Sequence, residues 1–378
     1  MTFGFDGIRT VDAHSPLSYY DRMLIASLGT YYPKETFMVY SPNSTDDRGM
    51  SWLLSISSIH NKTPYKALNK WLWRNYNGIY KDFHRHGVKV YHGLDAVLPT
   101  GKCKEKVRMI TTIRDLSLKR YMNDYNFYEK ITRNCRIKKA CKKADRIIAT
   151  SEYIKDIILK KYNVDERKID VIHTAFRNEY LTSNDDELFI SNVKGKYHLP
   201  SNFILAITEF NTLANLENLV KALAKIDDKS IDLVLIGKKN NYYRKLKKLA
   251  EDLNIEDRIV RVSSINKHKF MAVYALAKAF VEPSLQDGLG QCITESLITG
   301  TPTIASDDGC HREIGGDAVL YYKPDDVKQL TEHLNTVLND SEKRQAMIDA
   351  GKKQAAQFTQ QALAEKTILT YNKALGKA

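Results

Sequence analysis

Long apolar runs are missing from this 378-residue chain. No stretch approaches the 18 consecutive apolar residues of a membrane-crossing helix, so none is expected. The opening Met1-Thr2-Phe3-Gly4-Phe5-Asp6 lacks the basic-then-apolar order of a secretory signal. Cysteine is scarce: Cys103, Cys135, Cys141, Cys292 and Cys310 are five in all, with no C-x-x-C spacing. That number and spacing argue against a disulfide framework and against a zinc site, and suit a reducing cytoplasm. Cys135 and Cys141 fall in one basic helical stretch and read as packing residues. Internal repeats and low-complexity tracts are also absent.

What is present is core material and lopsided charge. With 43% hydrophobic and 27% charged residues, the chain has enough apolar material for two ordinary domains and too much for disorder. Up to residue 178 it carries 32 Lys and Arg against 18 Asp and Glu, and beyond it 26 against 27. The excess of base on the first half predicts an anionic partner there: a membrane surface, a phosphorylated substrate or nucleic acid.

Strand-like and helix-like segments alternate, which favours parallel sheets covered by helices. In the first half residues 89–91, 107–113, 145–150 and 168–172 read as strands. The stretch 178–200, with Asn184-Asp185-Asp186-Glu187 and Gly195, breaks the periodicity and reads as a connection between domains. A second series follows, with strands at 203–207, 231–236, 279–281 and 303–305 and helical spacing over 216–226, 243–253 and 268–277. Two doubly wound α/β domains facing each other would place ligands at the carboxyl ends of both sheets.

The densest chemistry lies in Glu282-Pro283-Ser284-Leu285-Gln286-Asp287-Gly288-Leu289-Gly290-Gln291-Cys292-Ile293-Thr294-Glu295. A strand ends in proline, and a Gly-x-Gly turn leads directly into a helix beginning near Gln291. Such a turn sets backbone N–H groups and a positive helix end at one place, a ready phosphate site. A tight strand-to-helix turn would call for glycine on its own account, so the turn by itself leaves both readings open. Asp287 and Glu295 could serve as a pair, one beside a sugar and the other accepting bonds from ribose hydroxyls.

The whole run resembles the carboxylate-x7-carboxylate signature of glycosyltransferase family 4. Other segments are similar to that family too: Gly4-Phe5-Asp6 to its opening strand, Trp73-Arg74 through Tyr91-His92-Gly93 to a helix and strand, and Ala144-Asp145-Arg146-Ile147-Ile148-Ala149-Thr150-Ser151-Glu152 to its A-D-x-I-I-A-x-S-E segment. The resemblance implies the GT-B fold: α/β, with two Rossmann-like doubly wound domains facing a central cleft. Residues 1–178 would be the acceptor-side domain, with the 358–378 helix packing back on it, and 179–357 the nucleotide-sugar domain. It further implies a retaining, metal-independent transferase with a UDP- or GDP-linked donor substrate and no cofactor. By the same resemblance Glu295 would hold the donor ribose, the amides of Gly288, Leu289 and Gly290 with Ser284 the phosphate or sugar, and Asp287 would orient the sugar.

Four places depart from the family pattern. The first loop, His14-Ser15-Pro16-Leu17-Ser18-Tyr19-Tyr20-Asp21-Arg22, has no glycine, and Pro16 removes a donor N–H. The Arg-Lys pair that usually precedes Asn-Leu is replaced in Thr212-Leu213-Ala214-Asn215-Leu216, and Thr208 stands where glycine is usual. Two lost charge-assisted contacts should cost several kcal/mol at a leaving group, at ~1.5–3 kcal/mol each. The usual Ile-His-Asp-Leu reads Ile113-Arg114-Asp115-Leu116. Arg114 cannot act as a base, but it could supply positive charge. Asp287 replaces the usual Glu and is one methylene shorter.

The basic half gathers Trp52, Trp71 and Trp73 with Tyr65, Tyr76, Tyr80, Lys62, Lys66, Lys70 and Arg74 in one segment. The Trp71–Trp73 pair is expected in the core. A second basic run, 133–146, is read as a helix with Ile131, Cys135 and Ala144 facing inward. Lys139, Lys142, Lys143 and Arg146 would then meet an anionic lipid surface or a lipid-linked acceptor. Nucleic acid is not expected, for no RNP, zinc-finger or helix-turn-helix pattern accompanies the charge. His92, at a strand end, either lines the cleft or bonds its surroundings. Two readings follow. One is a transferase of polysaccharide biosynthesis, cytoplasmic and peripheral on the inner membrane face, taking a nucleotide-sugar and a glycan or lipid-linked acceptor. The alternative is a catalytically degenerate homologue acting as a non-enzymatic binding or partner subunit, with another glycosyltransferase as a possible partner.

Overall fold

The computed structural model describes residues 1–8, 10, 17–41, 51, 53–63, 73, 77–101, 106–116, 127–180, 187–266 and 269–377. Residues 14–16 of the first loop, Trp52, Tyr65, Lys66, Lys70, Trp71, Arg74, Tyr76 and Cys103 lie outside them. The chain divides into two compact units, one of residues 1–118, 122–174 and 360–378, the other of 119–121 and 175–359.

The first unit is built on seven strands: β1 (Thr2–Asp6), β2 (Thr36–Tyr40), β3 (Ile59–Lys62), β4 (Val88–Gly93), β5 (Arg108–Ile113), β6 (Arg146–Ala149) and β7 (Ile169–Val171). They run parallel in the order β3-β2-β1-β4-β5-β6-β7. The order reverses between β1 and β4, and it is at such switch points that loops diverge and leave a crevice. Helices on the sheet bury a cluster that includes Tyr40, Phe83, Tyr91, Ile137, Ile147 and Ile154. Trp73 belongs to it, 8% exposed, its indole N–H donating to Asp82 Oδ2 at 2.7 Å. The strands β2 and β3 escaped the sequence reading because Thr36-Phe37-Met38-Val39-Tyr40 and Ile59-His60-Asn61-Lys62 are short and mixed.

The second unit has six strands: β8 (Phe203–Ile207), β9 (Asp232–Ile236), β10 (Ile259–Val262), β11 (Ala279–Glu282), β12 (Thr303–Ser306) and β13 (Val319–Tyr322). Their order is β10-β9-β8-β11-β12-β13, all parallel. Here the switch point lies between β8 and β11. Phe203, Ile204, Leu205 and Ala206 are all buried, the continuous apolar run of a strand covered on both faces. The stretch 178–200, expected as a connection, contains a helix, Glu187–Tyr197. Its Val193 is buried in a cluster with Phe203, Val273 and Phe280, so it is core rather than linker.

The last helix, Gln360–Leu375, belongs to the first unit and packs along the Leu17–Tyr31 helix. Tyr371 is fully buried, its ring 5.0 Å from that of Phe3 and its hydroxyl 2.8 Å from His92 Nδ1. Among the described residues no helix is long and apolar enough to cross a membrane. Chemical denaturation checks the anchoring role of this tail. Tyr371→Phe should cost about 1–3 kcal/mol by leaving a buried ring nitrogen unpartnered, and Tyr371→Ala about 3–5 kcal/mol by adding a cavity.

Candidate functional site: the turn after β11

At the switch point of the second sheet, β11 ends in Glu282 and the chain turns through Asp287 into the Gln291–Ile298 helix. Gln286 holds φ 61°, a left-handed conformation that is costly without glycine and concentrates at functional turns. The Asp287 carboxylate closes the turn on itself. Oδ1 accepts from the Leu289 amide at 2.9 Å and Oδ2 from the Gly290 amide at 3.0 Å. Two amides expected to meet a phosphate or a sugar are therefore directed to the Asp287 side chain. Asp287, expected to orient a sugar, organises its own loop instead, since its shorter side chain reaches the adjacent amides. Gly288 is buried within the turn. Ser284 is held by its backbone, the amide donating to Glu282 Oε1 at 3.3 Å and the carbonyl accepting from Ser306 Oγ at 2.5 Å.

The neighbouring turn, after β12, is locked to this one. Cys310 N donates to Asp287 O at 2.8 Å. Gly309, at φ +62°, passes so close that a Cβ there would lie 2.3 Å from the same oxygen. His311 is fully buried, with Nδ1 2.8 Å from Ser306 O and Nε2 3.6 Å from Asp287 Oδ2. Burial alone would raise the Asp287 carboxyl, but the nearby charge of His311 and the two amides hold it below its ordinary value. Burial alone would lower His311, but Asp287 and Glu282 hold it above 6.5. Glu282 is itself pushed up to about 6 by burial and by Asp287, with His311 opposing.

Glu295 stands in the Gln291–Ile298 helix, 5% exposed. Gln291 Nε2 donates to its Oε1 at 2.9 Å and to Ala175 O at 3.1 Å. Arg177 brings Nε to 3.8 Å of the same carboxylate oxygen and packs its guanidinium over the rings of Tyr180 and Phe270, at 5.6 and 5.9 Å. The structure thus brings together Glu282, Ser284, Asp287, Gly288, Leu289, Gly290 and Glu295, and adds Arg177 and His311, which the sequence reading missed. Arg177 carries no motif. His311 had a readable signal, because turns after adjacent parallel strands converge at the carboxyl edge of a sheet.

Where the family's Arg-Lys pair would stand, residues Thr212–Ala214 form a short 3-10 turn capped by Asn211 Oδ1, which accepts from Leu213 N and Ala214 N at 3.0 and 3.1 Å. Leu285 N donates to Leu213 O at 2.8 Å, which ties this turn to the signature loop. An open pocket of about 680 Å³ is lined there by Thr212, Leu213, Leu285, Lys323, Pro324, Asp325 and Asp326. Lys323 is thus a cation of the place the pair left. Among the described residues no group of three His, Cys, Asp or Glu side chains is placed to hold a metal ion.

In the first unit Arg114 is paired within the protein. It is 3% exposed, with Nη1 3.0 Å from Asp21 Oδ1 and its guanidinium 5.0 Å over the Tyr20 ring. A guanidinium this buried persists only beside a compensating carboxylate. His92 is kept neutral between Tyr371 OH and Thr112 Oγ1, the latter at 2.7 Å. Burial and the charge of Arg114 push it down to about 3.

The basic helix, Phe127–Lys143, differs from expectation at Ile131 and Cys135 and agrees at Ala144, Lys139 and Lys142. Ile137, Ala140 and Cys141 are buried, with Ala144 just beyond its end, while Ile131 is 45% exposed and Cys135 is exposed as well. Lys139 and Lys142 are exposed. Lys143 instead binds Tyr80 OH, Pro99 O and Gly101 O. Arg146 lies on β6 and pairs with Asp170 at 2.7 Å. An apolar-floored pocket of about 590 Å³ opens beside this helix, with Asp6, Ile8, Leu98, Arg136 and Lys139 in its walls.

The raised Glu282 carboxyl has a consequence for stability. The folded chain keeps that proton up to about 6, whereas an unfolded one releases it near 4.5. This group's contribution therefore falls as pH rises between those values, by about 2 kcal/mol. Denaturation midpoints across pH 4–8 should show Glu282→Gln losing that slope.

With this geometry in hand, known proteins supply the context. A family model described as glycosyl transferases group 1 matches residues 191–354, and one described as glycosyltransferase family 4 matches residues 35–179. The chain is 26% identical to the O-antigen chain mannosyltransferase RfbU of Salmonella typhimurium over 204 residues, 54% of each protein. It is 25% identical to O-antigen chain mannosyltransferase B of Escherichia coli over 297 residues, 77% of this chain and 74% of that one. The match to RfbU thus spans about half of that protein's length. Among solved structures, Anabaena HepE in complex with UDP-glucose superposes with a TM-score of 0.75 at 14% identity, covering 99% of this chain and 100% of that one. With two family models covering most of its length and two parallel α/β units of the GT-B kind, the chain belongs to the group 1 glycosyltransferases of family 4.

Proposed function

We propose that this protein is a retaining, metal-independent glycosyltransferase that moves a sugar, mannose by the names of its relatives, from a nucleotide-linked donor onto a glycan or lipid-linked acceptor in surface-polysaccharide assembly. The observation that carries this reading is Glu295. It is a buried carboxylate at the switch point of the second sheet, oriented by Gln291 and charge-matched by Arg177. A carboxylate fixed in this way can accept both hydroxyls of a ribose, just over a turn into a helix whose positive N-terminal end favours a diphosphate. The relatives that bear the name mannosyltransferase, and HepE with its UDP-glucose, support the donor class.

In this reading no metal is needed. Arg177 and Lys323 would offset the charge of the departing diphosphate, taking the place of the missing Arg-Lys pair. Asp287 contributes by keeping the turn in shape, and Arg114 by stiffening the first unit. Titration calorimetry with UDP- and GDP-sugars in the presence of EDTA tests the reading. One donor should bind, and Glu295→Ala should weaken it at least tenfold. An absence of heat with every donor would sink it in favour of a non-enzymatic subunit.

The membrane role rests on Lys139 and Lys142, exposed as expected, with Lys143 and Arg146 paired within the protein instead. Ile131, Cys135, Lys138, Lys139 and Lys142 share the exposed side of the Phe127–Lys143 helix. Each cation near an anionic surface contributes about 1 kcal/mol. Vesicle sedimentation should show binding to phosphatidylserine-containing bilayers that falls at least tenfold in the Lys138→Glu, Lys139→Glu, Lys142→Glu triple variant. Binding that ignores anionic lipid content or salt would refute the membrane role.

A further inference from the structure

Two turns meet at the carboxyl edge of the second sheet, and a histidine with no part in the family signature joins them. His311 follows β12, while the signature turn follows β11, the strand beside it. The ring is fully buried, and both of its nitrogens face acceptors. Nδ1 lies 2.8 Å from the carbonyl oxygen of Ser306, which only accepts, so Nδ1 carries a proton. Nε2 lies 3.6 Å from Asp287 Oδ2. That carboxylate already accepts the amides of Leu289 and Gly290 and is ionised. A neutral ring would point a lone pair at it, whereas an imidazolium points an N–H.

The surroundings favour the cation as well. Glu282 faces the ring from the end of β11 and Asp287 from the signature turn. Asp307 acts on it from the end of β12, its own charge matched by Arg312 at 2.5 and 2.8 Å. From β13, Tyr321 sends its hydroxyl to His311 O at 3.3 Å, and the thiol of Cys310 adjoins on the same turn. Acid therefore outweighs base around this ring. The backbone bond from Cys310 N to Asp287 O and the close passage of Gly309 leave the two turns no slack.

We propose that His311 is a positioning residue: as an imidazolium it clamps the Asp287 carboxylate, and through it holds the Asp287–Gly290 turn in the form that precedes the Glu295 helix. What the turn holds rests on the function proposed above, but the clamp is measurable without any donor. Loss of the proton at alkaline pH removes the attraction and sets Asp287 against a lone pair, so the turn loosens while the sheet stays intact.

Nitrogen-15 spectra of the histidine rings in the full-length chain test this. At pH 7.5 the His311 ring should be doubly protonated, and Asp287→Asn should lower its titration midpoint by at least one pH unit. Deuterium uptake across residues 286–292 should rise at least fivefold in His311→Gln at pH 7.5, with the first unit unchanged. A neutral His311 ring at pH 7.5 in the unaltered protein would overturn the proposal, as would a midpoint indifferent to Asp287→Asn. Should His311→Gln fail to fold, the ring titration of the unaltered protein still decides. Failure of every nucleotide-sugar to bind would count against the proposed function and leave the clamp standing.

Discussion

The second unit is organised around a carboxylate nearly closed off from water. Glu295 is almost fully enclosed and cannot stay ionised there on solvation. Arg177 and Gln291 supply what water would have supplied. Arg177 can do so because its own guanidinium lies over two aromatic rings, those of Tyr180 and Phe270, which hold it in place. Asp287 is treated in the same way by two amides and His311, and Arg114 in the first unit by Asp21. At each of these places a charge sits at or near the carboxyl end of a parallel strand, matched before any ligand arrives. Such matching makes each partner costly to remove singly.

This changes what the departures from the family pattern mean. An arginine at 114 looks from sequence like a charge offered to substrate, and in the structure it is paired with Asp21. A shortened carboxylate at 287 looks like reduced reach toward a sugar, but it gains reach toward the amides of its own turn. The loss of cations around 212–214 looks like loss of the leaving-group contact. Yet Lys323 lines the same pocket, and Arg177 stands beside Glu295. Both residues lie far along the chain from the Thr212–Ala214 turn.

The architecture was legible because parallel strands buried on both faces write themselves as apolar runs, as Phe203–Ile207 and the first three residues of Ala279–Glu282 do. The signature run was legible because glycine, proline and carboxylates fell at fixed spacing. The facing of the Phe127–Lys143 helix was not, because Ile131 and Cys135 satisfy an apolar pattern as well as Ile137 and Cys141 do. Only packing against β5 and its neighbours chooses between the two stripes. Arg177 was invisible for a related reason, and His311 carried only the general signal that turns after adjacent strands converge. A partner brought near by the convergence of turns leaves no local spacing to read.

The central claim is that Arg177 holds Glu295 as a buried carboxylate, and a double-mutant cycle on unfolding tests it most directly. Arg177→Met and Glu295→Gln should each destabilise the chain. Together they should cost clearly less than their sum, with a coupling of at least about 1 kcal/mol. Costs that simply add, within about 0.3–0.5 kcal/mol, would contradict the account.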